Sequence, residues 1–293
     1  MRSLAIVTAA ALLIGTGVGA QQARQPAPAP ALTCPPSGYA PPMYGQFGQN
    51  GGGGQTAYEI ASPCIPKEVR DAAEAIGMGR TRPLGVKNVI TIMFSAEGTL
   101  ADTGGMDKLS KADFHISYVV PAMRMFLEGT RPDGRPLKEI RVFADTSAWN
   151  EAKEGMDGTP AMAALADRAP IVKLTPFGAL WSVIDAEGHA VVSTLNGKTV
   201  LAGTSPYDKM DATTTLDDKQ RPASVTVKAN GHVYGATFAD YRDTWESAYL
   251  VIFPSEIHWT IDGRPLADLK VTAFKSNPYV VFPIPAVVKR RSN

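Results

Sequence analysis

An α+β domain, with one large antiparallel sheet covered by a few helices, is the fold class the sequence predicts, and three observations predict it. Asp133-Gly134, Asn196-Gly197, Asn230-Gly231 and Asp262-Gly263 each lie between runs rich in alternating or β-branched residues. Type I′ hairpin turns favour such dipeptides because both central residues take positive φ, so together these imply an antiparallel meander. The alternation is also clean: Ile257, Trp259 and Ile261 fall on one face with His258 and Thr260 opposite, and Leu269, Val271 and Ala273 repeat the pattern after the turn. One face of the sheet is therefore buried. Helical spacing is confined to short windows, which suits a covering layer on roughly eight or nine strands.

The chain opens on a processing signal. Arg2 precedes the apolar or small stretch Leu4 to Val18, and Val18-Gly19-Ala20 ends in the small-x-small pattern that signal peptidase accepts, so a signal peptide cleaved after Ala20 is expected. The stretch is short for a bilayer span and has no charged stop-transfer flank, so no permanent membrane span is expected. A periplasmic or secreted bacterial protein follows.

Residues 21–64 are Pro-rich and then Gly-rich, a composition that cannot offset its own ordering entropy. They read as a linker, or as a docking segment with Tyr39, Tyr44 and Phe47 as contacts. Both cysteines bound its second half. In an oxidising compartment, with no Cys-x-x-Cys spacing and no histidine beside either, a Cys34–Cys64 disulfide is more economical than a metal or redox site. Closing that loop stabilises by about 3–4 kcal/mol in the chain-entropy account. Acylation of Cys34 is the weaker alternative, because Thr33 stands where a lipoprotein box wants Gly or Ala.

A single α+β domain is expected over residues 65–293. Pro66 suits a first helical turn, and Val69, Ala72, Ala73 and Ile76 recur at helical spacing until Gly77. "DGRPLKEIRVFA" from Asp133 and "DGRPLADLKVTA" from Asp262 share turn, proline and strand pattern, which similar turn chemistry explains without a duplication. Thr159-Pro160 opens a short helix expected through Ala166. Thr175 is a helix N-cap with Pro176 at the first position, and Phe177, Leu180, Trp181 and Ile184 form an apolar stripe ending before Gly188.

A net charge of +1, with Lys289-Arg290-Arg291 as the one basic run, gives no electrostatic footprint for nucleic acid. Catalytic patterns fail one by one. Gly197-Lys198-Thr199 lacks the upstream glycine of a phosphate loop and leads into a strand. No Ser occupies a Gly-x-Ser-x-Gly elbow, and His115, His189, His232 and His258 are too scattered for a metal pair. "FADYRDTWESAYLVIFPSEI" gathers Asp240, Asp243 and Glu246, which could hold calcium or act as acid and base, but Arg242 among them and the lack of a bend glycine favour a structural corner. A central strand, "YLVIF", is expected to leave the core at Pro254. No catalytic residue, metal or cofactor is expected.

"VVPAMRM" at Val119 to Met125, "SAW" at Ser147 to Trp149, "KLTPFGAL" at Lys173 to Leu180 and the stretch from Ala236 to Phe274 together resemble the region that precedes the metallo-β-lactamase-fold domain in a group of secreted bacterial hydrolases. That region is similar to the cup-shaped half-barrel of the LolA/LolB-like periplasmic lipoprotein carriers, so the resemblance implies a curved sheet. It carries no zinc chemistry to any residue here: there is no His-x-His-x-Asp-His segment, and Phe177 stands where those proteins tend to have His.

Three functions remain open. One is a non-catalytic exported module that binds a hydrophobic small molecule or lipid in the cup, with Phe177, Leu180, Trp181 and Ile184 on the lid helix and Tyr241, Trp245 and Tyr249 at the mouth. Another is an accessory subunit for a separately encoded envelope protein such as a hydrolase. The third is an enzyme using the acidic bend, for which convergent perturbed groups are lacking.

Overall fold

A computed structural model describes residues 65–78, 89–186, 189–205, 208–243 and 251–289, all within the compact unit Thr33–Asn293. Cys34, Cys64, Trp245, Glu246, Tyr249, the leader and the Pro/Gly segment lie outside the described residues.

Among the described residues, thirteen strands form one antiparallel sheet. The first six are β1 (Thr91–Asp102), β2 (Gly105–Ser117), β3 (Ala122–Thr130), β4 (Pro136–Ala144), β5 (Ser147–Glu151) and β6 (Thr159–Pro160). The rest are β7 (Val191–Leu195), β8 (Lys198–Thr204), β9 (Asp211–Leu216), β10 (Pro222–Ala229), β11 (His232–Arg242), β12 (Phe253–Ile261) and β13 (Arg264–Ser276). Strand order is 6-5-4-3-2-1-13-12-11-10-9-8-7. Every neighbour is a sequence neighbour except the pair of β1 with β13, which fuses two meanders and leaves β6 and β7 as the edges.

The turns explain most of this order. Asn196-Gly197, Asn230-Gly231 and Asp262-Gly263 all carry the expected pair of positive φ values. Asp133-Gly134 does not, since of the two only Gly134 is positive, and Arg131 and Arg135 close a longer loop through their backbones. The sheet also exceeds the expected strand count, because turns at Asp145 and Gln220 and the strands β7 to β9 carry weaker signals.

Alternation holds through Leu269 and Val271 and then fails at Ala273, which is exposed while Phe274 is buried. The register between β1 and β13 jumps from Ser95↔Ala273 to Ala96↔Val271, so a bulge at Thr272 shifts the phase by one residue. Three residues later on β1, Gly98 has φ +146, and a Cβ there would lie 1.9 Å from the Asp268 carbonyl. Only glycine fits that crossing.

The chain from β6 to β7 must travel from one edge of the sheet to the other. Flat, those edges would lie about 58 Å apart at the usual strand spacing. The crossover instead runs over one face as a 3-10 turn (Met162–Ala164), α2 (Leu165–Arg168), a 3-10 segment (Ala169–Leu174) and α3 (Pro176–Asp185). The six-residue 3-10 segment, about 12 Å long, touches β3, β10 and β11. Strands that far apart in the order reach so short a piece only if the sheet curls around it, and the sheet is indeed curved and unclosed. The helix expected at Thr159 is corrected: Thr159-Pro160 pairs with Trp149 and Asn150 as edge strand β6, and helical turns begin only at Met162.

The preceding helix, α1 (Lys67–Ala75), buries Val69, Ala72 and Ala73 as its spacing predicts and packs on α3. On the opposite, convex face of β3 to β5 a smaller core of Ala122, Val142 and Trp149 is covered by the C-terminal strap, residues 277–289, which ends in α4 (Ala286–Lys289) with Val288 fully buried. No helix among the described residues is long and apolar enough to cross a membrane.

Candidate functional site

The concave face and its helix layer form the candidate site. Thr175 has extended backbone, and its hydroxyl donates to the Val172 carbonyl at 3.2 Å while accepting from the Gly178 amide at 3.1 Å. A hydroxyl has one proton and two lone pairs, so its third contact, 2.8 Å from the buried Tyr118 hydroxyl, is donated by tyrosine. Every hydrogen-bonding position of Thr175 is thus used, and α3 is pinned at its first turn to the end of β2.

Nine of the ten α3 residues are buried. Phe177 lies nearly parallel to Phe253 and Phe274, with both centroids 6.0 Å away, and those two rings stack on each other at 4.3 Å. Leu180 and Ile184 have 0% and 1% exposure. Phe177 is therefore a core ring, and Phe177, Leu180 and Ile184 pack into the core while Trp181 borders a crevice beside α3. Gly178 lets the 3-10 segment seat against α3, since a Cβ would fall 2.0 Å from the Val172 carbonyl. Two indoles lock the layer: Trp181 donates to the Val89 carbonyl at 3.0 Å and Trp259 to the Leu174 carbonyl at 2.8 Å.

Beside α3 lies a crevice of about 20 Å³, room for one water, lined by Tyr118, Lys173, Gly178, Trp181, Ser182 and Asp208 among others. Tyr118 and Trp181 stack at 6.2 Å, and burial pushes the Tyr118 hydroxyl far above its ordinary range. Lys173 is 8% exposed, and its ammonium meets Asp208 at 2.9 Å and Ser182 at 3.3 Å. These polar residues escaped the sequence reading. The available signal was a lone lysine inside the apolar run Ile171-Val172-Lys173-Leu174.

Tyr241 joins neither the α3 stripe nor the crevice lining. Its hydroxyl donates to the Pro222 carbonyl at 2.6 Å, and Arg221 lies over its ring at 4.8 Å. Of the acidic residues, Asp240 lies within β11 at φ 50, and its carboxylate accepts from Ser255 at 2.6 Å and from Arg242 at 2.6 and 3.0 Å, which holds it below the ordinary carboxylate range. The strand expected to end at Pro254 is also corrected, because β12 begins at Phe253 and Pro254 pairs with Tyr241 within it. A proline is tolerated at such a strand start.

A second polar cluster lies on the concave wall of β1 to β4. Arg131 and Arg141 bridge Asp102 and Glu139, with Arg141 2.5 Å from Asp102. Asp107 is 0% exposed, has no hydrogen-bond partner among the described residues and lies 4.0 Å from Arg131. Burial and the Asp102 charge push its carboxyl up.

No protein family and no curated protein matches the chain. Among solved structures it is similar to a LolA superfamily protein from Nitrosomonas europaea, at 10% identity over 72% of this chain and 94% of that one, with a TM-score of 0.41. It is also similar to the lipoprotein LppX of Mycobacterium tuberculosis (11% identity, 73% and 96% covered, TM-score 0.25) and to LprF from Mycobacterium bovis (8%, 75% and 95%, 0.32).

Proposed function

We propose that the protein is an exported, non-catalytic module that takes an apolar ligand or lipid tail into the concave face of its sheet, with α3 as the displaceable insert. The observation that carries this reading is the burial of nine of ten α3 residues within an unclosed sheet, with Thr175 and Trp181 among the residues that tether the helix. A ten-residue helix occupies a cylinder of at least about 1,200 Å³. That is the size of a lipid-binding pocket, and the walls it would uncover include Phe253, Phe274 and Trp259.

Leader cleavage after Ala20 and the Cys34–Cys64 bridge belong to the same proposal, since both follow from export. A second reading, an accessory subunit for an envelope partner such as a hydrolase, is favoured by the edge strand β7, where Val191 and Leu195 are 59% and 64% exposed. Native mass spectrometry of protein purified from its own envelope fraction separates the two. A co-purifying lipid-sized adduct supports the carrier reading, and a stoichiometric protein partner without such an adduct overturns it.

A further inference from the structure

A purely apolar trough does not explain Lys173. Replacing a buried ion pair with an apolar side chain of similar length is often neutral or stabilising, so stability alone gives no reason for an ammonium between Val172 and Leu174. Its partners are also unequal. Ser182 is 1% exposed and already donates to the Gly178 carbonyl at 2.9 Å, so toward Lys173 it acts as acceptor. Asp208 stands at the surface on the β8–β9 connection, with its side chain 24% exposed and its other oxygen accepting from the Met210 amide at 3.0 Å.

Asp208 also lines a second, open groove of about 390 Å³, shared with Lys209, Lys228 and His232 and with the apolar Met210 and Val233. The crevice beside α3 and this outer groove therefore meet at one carboxylate. Asp185 lines the crevice as well and is itself engaged. Across both spaces three lysines outnumber the two carboxylates. Asp208 thus holds the position that an external anion would take on Lys173, at the point where a ligand passing from the groove would reach Tyr118 and Trp181.

We propose that Lys173 is the head-group ligand of a single-chain anionic amphiphile. Its carboxylate displaces Asp208 from the ammonium, and its tail passes between Tyr118 and Trp181 beneath α3. This rests on the trough reading and narrows it to a ligand class. Carboxylate and ammonium exchange one charge-assisted contact for another, so the displacement conserves charge pairing and leaves Asp208 to solvent.

The test uses the full mature chain with an ω-dansylated undecanoic acid and its methyl ester, read by fluorescence titration at several salt concentrations. The acid is expected to bind wild type at least about tenfold more tightly than the ester, with that advantage shrinking as salt rises. Lys173→Met should remove the preference for the acid. Asp208→Asn, at a half-buried surface turn, should strengthen acid binding severalfold and carries the test alone if Lys173→Met melts early. Equal binding of acid and ester by wild type and by Asp208→Asn overturns the head-group role while leaving the trough intact. Binding of neither probe by any of the three proteins overturns the trough itself.

Discussion

The Arg124 guanidinium and the Glu151 carboxylate meet in two-pronged fashion on the convex face, at 3.0 and 3.2 Å, with side chains only 2% and 1% exposed. Glu151 also accepts from the Trp149 indole and the Gly155 amide, each at 2.8 Å, while Arg124 donates to the Val281 carbonyl at 3.1 Å and faces the Phe282 ring. One buried pair thus joins β3, β5 and the C-terminal strap. Arg124→Met should cost about 3–5 kcal/mol, because a carboxylate is left buried without its counter-ion. Chemical denaturation measures that loss, and limited proteolysis should cut the strap ahead of the sheet. Arg124→Met with Glu151→Leu should recover much of it, and a double variant as weak as the single one would show that the pair is not the cause.

Thr175→Val should cost about 1–2 kcal/mol, since it strips the cap from α3 and leaves the Tyr118 hydroxyl unpaired in the core. Thr175→Ser keeps the hydroxyl and should restore most of the stability. A loss in Thr175→Ser as large as that in Thr175→Val would show that the hydroxyl contacts do not set the cost.

Asp107 gives a pH signature of defined sign. Its folded carboxyl is raised above the ordinary 3.8, so the native state keeps the proton to higher pH than the unfolded chain, and stability falls as pH rises through that window. Asp107→Asn removes the penalty. Its melting temperature should exceed that of wild type by a few degrees at neutral pH, with the gap closing below about pH 4. A gap that persists in acid would exclude the carboxyl as its source.

Leu180 lies in filled space, so Leu180→Trp should destabilise by about 1–3 kcal/mol through overpacking. Leu180→Ala should cost about 2–5 kcal/mol and, by opening room under α3, increase the uptake of a dansylated fatty-acid probe. Thermal melts and titration on the same samples check both. Leu180→Ala that loses stability with no gain in probe uptake would count against α3 as the insert.

Local chemistry was legible in the sequence, and long-range pairing was not. Thr175-Pro176 marked the start of α3 because an N-cap and a proline at the first position act within one turn. Thr159-Pro160 carries the same signal, yet pairing with Trp149 and Asn150 overrode it. The joint between β1 and β13 has no local signature, since its partners, such as Ile92 and Ser276, are brought together only when both meanders exist. The apolar stripe of α3 could be read, but whether it bordered an empty cup or filled one depended on Phe253 and Phe274, far away in the chain. Lys173 was hidden for a similar reason: its counter-ion, Asp208, arrives from a different strand connection.

The two ends of the sheet are not equivalent, and that inequality limits how copies of the chain can associate. β6 offers two residues, one of them proline, and so makes a poor template for a new strand. β7 offers five residues with neither proline nor charge. Two molecules joined through β7 would each spend the one serviceable edge among the described strands, so growth through these edges stops at a two-fold pair.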